Sequence, residues 1–293
     1  MDIETLTKKL RRIEIRSRKD ATDVLAGDFK SAFRGAGIEF DEVREYMPGD
    51  DVRSIDWNVT ARQGKPFIKR FQEERELTVF FLVDCSASGN YGAGDTCLND
   101  LSAELCATLA FSAIKSNDKV GLALFTDHVE RFIPPAKGAT HAMRLIREVL
   151  GYKPQSTGTN LPEALEFLAR ALKKRAVIFL ISDFQNAGDF ERQMSLLAGK
   201  HDLVVLPLRD PSIETLPDAG IVEMQDAESG ERFLVDTSSR AVRDAYAQRV
   251  RQQNEMLSAR LKRLGIDNLP LSLGDECTRT LSAFLKRRTQ RRR

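Results

Sequence analysis

The run Val79-Phe80-Phe81-Leu82-Val83-Asp84-Cys85-Ser86-Ala87-Ser88 sets one carboxylate and two hydroxyls at alternate positions after a short apolar segment. A hard cation such as Mg²⁺ takes oxygen ligands in a near-octahedral shell and keeps several waters, so a carboxylate with a few hydroxyls is a sufficient donor set. Two further segments carry matching groups. Gly158-Thr159-Asn160 places a hydroxyl at a helix start, and Phe179-Leu180-Ile181-Ser182-Asp183 is a second apolar segment ending in a carboxylate. If the two apolar segments are neighbouring strands of a parallel sheet, Asp84, Ser86, Ser88, Thr159 and Asp183 meet in the crevice where such sheets bind ligands. Mg²⁺ is the expected ion, with Mn²⁺ or Ca²⁺ as alternatives. Alone, Asp-x-Ser-x-Ser is a weak signal, because Asp commonly ends strands and Ser commonly caps helices.

The elements that have to hold these groups alternate between strand and helix. Leu101, Leu105, Leu109 and Ala113 mark a helix over 98–116, followed by a buried strand over 120–125 and an antiparallel partner over 129–133. A helix over 139–150 leads to the Thr159 loop. Leu161, Leu165, Leu168 and Leu172 define the next helix, with Asn160 as N-cap and Glu163 completing a capping-box pattern. Strands over 176–182 and 203–208 enclose a helix over 189–199. A hairpin around Glu228-Ser229-Gly230 follows, and its first strand is expected to extend the sheet. Val242, Tyr246, Val250, Leu257, Leu261 and Leu264 mark a long helix stopped by Gly265, before a short strand at 269–273 and a helix over 275–287. Such alternation predicts an α/β fold: a doubly wound, mostly parallel sheet with helices on both faces.

Residues 1–76 read as an extension packing on that core. Leu6, Leu10 and Ile13 have helical spacing, Gly35-Ala36-Gly37 interrupts the helix, and Pro48-Gly49-Asp50 is turn chemistry. Arg44, Arg53, Arg62, Arg70 and Arg75 are interleaved with Asp50, Asp51, Asp56 and Glu74, which points to ion pairs pinning this segment to the domain over 77–287. The alternative is a partner surface around Trp57, the only tryptophan.

In this order, Asp-x-Ser-x-Ser, Gly-Thr-Asn and Ser-Asp resemble the metal-ion-dependent adhesion site of von Willebrand factor type A domains. The upstream block from Glu39 to Trp57, including Glu45-Tyr46-Met47-Pro48-Gly49-Asp50-Asp51-Val52-Arg53-Ser54-Ile55-Asp56, together with Thr60-Ala61-Arg62 and Glu73-Glu74-Arg75, resembles the bacterial domain of unknown function 58 family. The resemblance covers nearly the whole chain. It implies a von Willebrand factor type A-like domain that acts as a non-enzymatic, cation-dependent protein-interaction module, with the cation bound by a partner's acidic side chain. It also implies association with MoxR-type AAA+ ATPases in chaperone-like maturation or stress responses.

Composition fits a folded chain: 293 residues, 42% hydrophobic, 30% charged, with a net charge of +2 that favours no class of partner. The four cysteines have no metal-ligand spacing and are expected as reduced thiols, Cys85 as a small buried filler. A serine hydrolase is the rival reading, with Ser86 or Ser88 as nucleophile and His128, His141 or His201 as base. No Gly-x-Ser-x-Gly frame surrounds these serines, while metal-assisted hydrolysis stays open as an alternative. A P-loop is absent. The basic end, Lys286-Arg287-Arg288-Thr289-Gln290-Arg291-Arg292-Arg293, reads as a solvated tail over 288–293, with binding to phosphates or an anionic surface as its functional alternative; no specific nucleic acid is expected. Neither a membrane-spanning run nor a signal peptide is legible, and the expected location is the cytoplasm without membrane insertion.

Overall fold

The computed structural model describes residues 3–20, 23–33, 38–73, 76–90, 92 and 96–291. The chain divides into two compact units, Met1–Ala32 with Thr78–Arg293 forming one and Phe33–Leu77 the other. The expected single extension over 1–76 is therefore corrected: its first part belongs with the sheet. Helices α1 (Ile3–Asp20) and α2 (Asp23–Ala32) pack on other helices of the larger unit. They stay there because they bury apolar surface. Phe29 and Leu25 are fully enclosed, and the Phe29 ring lies 6.2 Å from that of Phe179.

In the smaller unit, β1 (Ile38–Glu45) and β2 (Phe67–Glu73) pair antiparallel, with a register shift between Phe40 and Glu42. Between them runs α3 (Trp57–Gln63), capped by the Asp56 carboxylate, which accepts from the Asn58 and Val59 N–H groups, and ended by Gly64 at φ +71°. Asp51 accepts from the Arg53 N–H, and Asp50 pairs with Arg44 at 2.7 Å. Asp50, Asp51 and Asp56 thus work inside their own unit as turn and cap acceptors. The Arg70 side chain, Glu74 and Arg75 lie outside the described residues. Trp57 is 69% exposed, with Met47 and Val52 exposed as well.

The larger unit then runs β3 (Thr78–Asp84), α4 (Leu98–Lys115), β4 (Lys119–Phe125), β5 (Val129–Ala136), α5 (Ala139–Gly151), α6 (Leu161–Ala171), β6 (Val177–Ser182), α7 (Glu191–Lys200) and β7 (Asp202–Arg209). After these come β8 (Ile221–Gln225), β9 (Arg232–Asp236), α8 (Arg240–Arg263), β10 (Asp267–Asn268), β11 (Leu271–Ser272) and α9 (Cys277–Arg291). Across the main sheet the order is β10-β7-β6-β3-β4-β5, with β11 also beside β7. Every pairing is parallel except that of β5. Counting only these strands in chain order gives the doubly wound arrangement 3-2-1-4-5-6, so the winding reverses between β3 and β6.

Both faces of the central strands are covered, which is why they read as continuous apolar runs rather than alternating ones. Phe80 and Leu82 belong to a core with Leu165 and Leu168 of α6, Met194 and Leu197 of α7, and Leu261 of α8. On the intervening position, Phe81 stacks on Phe179 at 6.0 Å, in the layer that Phe29 completes.

Two C-terminal expectations change. The β8–β9 hairpin forms as expected, but it is a separate two-stranded sheet and does not extend the main one. The basic tail begins as helix: Arg288 is 5% exposed inside α9 and pairs with Asp202, and with Asp267 at 3.0 Å. Those two carboxylates on β7 and β10 hold it in. Among the described residues no helix is long and apolar enough to cross a membrane.

Candidate functional site

The carboxyl ends of β3 and β6 lie side by side at the point of reversal, where an open α/β sheet leaves a crevice between loops that depart to opposite faces. β3 delivers Asp84 there. Its Oδ1 accepts the Ser86 N–H at 2.9 Å, which folds the next residues back over the strand end, and Ser86 Oγ lies 3.0 Å from Ser88 Oγ. Asp84, Ser86 and Ser88 are all buried.

β6 contributes the neighbouring pair. Ser182 Oγ donates to Asp84 Oδ2 at 2.7 Å and accepts the Phe184 N–H at 2.9 Å, tying the two strand ends together. Asp183 Oδ1 accepts the Gln185 N–H at 3.0 Å, whereas Asp183 Oδ2 is buried with no hydrogen-bond partner. Phe184 and Asn186 both take left-handed backbone, with φ of 59° and 50°. Side chains rarely adopt that conformation, and it collects where a site constrains the chain.

The Thr159 loop is fastened to the same end of the sheet. Ala87 N–H donates to Thr157 O at 3.1 Å and Asn160 N–H to Thr126 O at 2.8 Å. Glu130 on β5 does more of this work than the sequence reveals: its carboxylate accepts from Thr126 Oγ1 at 2.7 Å, from the Gln155 N–H at 2.8 Å and from the Ser156 N–H at 3.1 Å. Burial pushes that carboxyl up, but the donated bonds outweigh it and hold it below the usual range. Asn160 then caps α6 through the Glu163 N–H at 3.3 Å, but the expected capping box is not completed, since the Asn160 N–H is committed to Thr126 O. Thr159 itself donates from Oγ1 to Glu228 Oε1 at 2.9 Å. Glu228 went unrecognised in the sequence, and nothing in its turn marks it.

Asp84, Ser86, Ser88 and Asp183 are thus gathered at one strand-end crevice, and Thr159 stands on the loop bonded to the Ser86–Ser88 turn. Burial pushes the Asp84 carboxyl up to about 6, and the Asp183 charge adds to this against the bonds from Ser86 and Ser182. Asp183 is likewise raised, by burial and by the charge of Glu228, while the Gln185 N–H and the Ser88 hydroxyl oppose the shift. No basic side chain is among the principal influences on either group. Among the described residues no three His, Cys, Asp or Glu side chains lie together as a metal-holding group. The groups gathered here are two carboxylates and hydroxyls, an all-oxygen set whose chemistry fits Mg²⁺, and Asp183 Oδ2 is buried without a hydrogen bond.

None of the histidines is bonded to these serines. His128 pairs with Asp127 at 2.5 Å, His141 meets Val120 O at 2.9 Å, and buried His201 accepts the Ala176 N–H at 3.2 Å. Cys85 donates to Phe125 O at 3.2 Å, and burial pushes its thiol far up, as suits a packing residue.

The strand order and the strand-end crevice define a doubly wound, mostly parallel α/β protein. The chain belongs to the family described as "Protein of unknown function DUF58", whose model matches residues 42–256. It is 31% identical over 251 residues to the uncharacterized protein Rv1480 of Mycobacterium tuberculosis, covering 84% of this chain and 78% of that one. Against the uncharacterized protein YeaD of Bacillus subtilis, identity is 26% over 107 residues, 36% of this chain and 25% of that one. Among solved structures, the conserved hypothetical protein BatB from Bacteroides thetaiotaomicron superposes with a TM-score of 0.47 at 12% identity, over 73% of this chain and 99% of that one. A von Willebrand factor type A protein from Catenulispora acidiphila gives 0.37 at 12%, over 76% and 43%.

Proposed function

We propose that this chain is a protein-interaction module whose contact depends on a divalent cation, Mg²⁺ in the first place. Ser86, Ser88 and Thr159 would hold the ion by their hydroxyls, with Asp84 and Asp183 binding directly or through water. When bound, the ion supplies a concentrated positive charge with a position open to an acidic side chain of a partner. The observation that carries this reading is Asp183 beside Asp84, two carboxyls raised by burial at one crevice, with Asp183 Oδ2 lacking a hydrogen bond and no basic side chain among the principal influences on either group. The protein's own part is to hold the hydroxyls still: the Asp84–Ser86 bond shapes the turn, and Glu130 fixes the loop that carries Thr159.

A binding role is supported over hydrolysis because none of the three histidines is bonded to these serines, and a binding site needs no proton shuttle. A MoxR-type AAA+ ATPase is the partner that family membership favours, within a chaperone-like or stress-related system. Calorimetry with Mg²⁺ tests the site: the wild type should bind one ion and Asp84→Asn none. A pull-down from native cells, run with Mg²⁺ and with a chelator, tests the partner. Capture that is equal in both conditions overturns the cation-dependent contact.

A further inference from the structure

Glu228 sits at the tip of the β8–β9 hairpin, 69 residues along the chain from Thr159, yet its carboxylate accepts a hydrogen bond from the Thr159 hydroxyl at 2.9 Å. The contact is doubled by the backbone, since Thr157 Oγ1 donates to Glu228 O at 3.1 Å. The turn is built to hold this residue in place. Asp226 Oδ1 accepts from the Glu228 N–H at 3.1 Å, the Ser229 N–H at 2.7 Å and Ser229 Oγ at 2.8 Å, and Gly230 closes the turn at φ +72°.

Among the described residues no strand of the main sheet pairs with this hairpin; its base is closed by the Thr237 N–H to Gly220 O at 2.7 Å and tied to α8 by Arg243, which donates to Thr237 O at 2.6 Å. Beside it a groove of about 660 Å³ runs from Asp183 past Met224 and Phe233 to Tyr246 and Leu257 of the α8 side. A carboxylate from an element outside the main sheet therefore meets the crevice through the Thr159 hydroxyl. A hydroxyl that donates to a carboxylate presents a more electron-rich oxygen to a cation, and such supporting partners commonly change metal affinity by about 10- to 100-fold.

We propose that Glu228 is a carboxylate the chain itself contributes to the cation site, acting through the Thr159 hydroxyl, and that the hairpin thereby occupies the approach an acidic side chain of a partner has to take. This rests on the cation-dependent reading of the site and adds to it an internal competitor. By reciprocity, an ion that binds more tightly because of Glu228 must in turn stabilise the hairpin against opening by the same free energy.

The test compares wild type with Glu228→Gln, which keeps an acceptor for Thr159 and loses the charge. Titrated with Mn²⁺ in a calorimeter, the variant should bind roughly 10- to 100-fold more weakly. Hydrogen exchange at 226–230 should slow on adding Mn²⁺ to the wild type and not to the variant. N-acetylglutamate, standing in for an acidic side chain, should lower the water-proton relaxation of the Mn²⁺-loaded variant at lower concentration than that of the wild type. Equal Mn²⁺ affinity in the two proteins, or equal response to N-acetylglutamate, overturns the role of Glu228 while leaving the cation site standing. A wild type that binds no Mn²⁺ overturns both.

Discussion

Asp84 and Asp183 carry the electrostatic tension of the site, and that tension has a measurable sign. A carboxyl whose pKa in the folded chain lies above its ordinary 3.8 holds its proton more tightly folded than unfolded. Stability from Asp84 is therefore greatest at acid pH and is lost as pH rises through about 6, by about 3 kcal/mol in all for a shift of this size. A cation reverses the balance, because it competes with the proton for the same oxygens. The rise in melting temperature on adding Mg²⁺ should be larger at about pH 7.5 than at about pH 5. Calorimetric melting measures it, and Asp84→Asn should remove both the acid stabilisation and the Mg²⁺ effect. That Asp84, Ser86, Ser88 and Asp183 stand at neighbouring strand ends was legible in the sequence, because each closes or follows an apolar run. Glu130 and Glu228 were not, since each acts through a loop that its own neighbours do not identify.

At the scale of elements, the alternation of strands and helices gave the sheet, and apolar spacing gave α4, α6 and α8 close to their true bounds. What periodicity does not tell is where an amphipathic helix docks. α1 and α2 looked like part of a charged extension, but α2 inserts Phe29 against Phe179 of β6 and so finishes a face of the sheet. Phe29→Ala should cost about 3–5 kcal/mol by urea unfolding, the penalty of a cavity in a closed core. A cost below about 1 kcal/mol would place α2 outside the cooperative unit. The β8–β9 hairpin poses the same problem in reverse. Its strands have the right residues to join an edge, yet they pair only with each other, which leaves the turn available to reach the site.

On the scale of the whole molecule, the C-terminal helix shows how composition misleads. Six basic residues among the last eight look like a solvated tail, but Arg288 is drawn down between Asp202 and Asp267 and joins α9 to β7 and β10. Arg288→Ala removes the buried guanidinium that Asp202 and Asp267 share and should cost about 3 kcal/mol, Asp267 keeping Arg291 at 3.6 Å. Its exposed neighbour Arg287→Ala should change melting by little. The sequence by itself determined the kind of fold and which strand ends carry Asp84, Ser86, Ser88 and Asp183, because apolar runs and strand-end motifs are written in residues close together along the chain. The tertiary structure alone decided which helices complete the sheet, which arginine is buried and which distant carboxylate meets Thr159. Those outcomes depend on surfaces that come together only when the chain folds, and local residue patterns do not encode the distance between them.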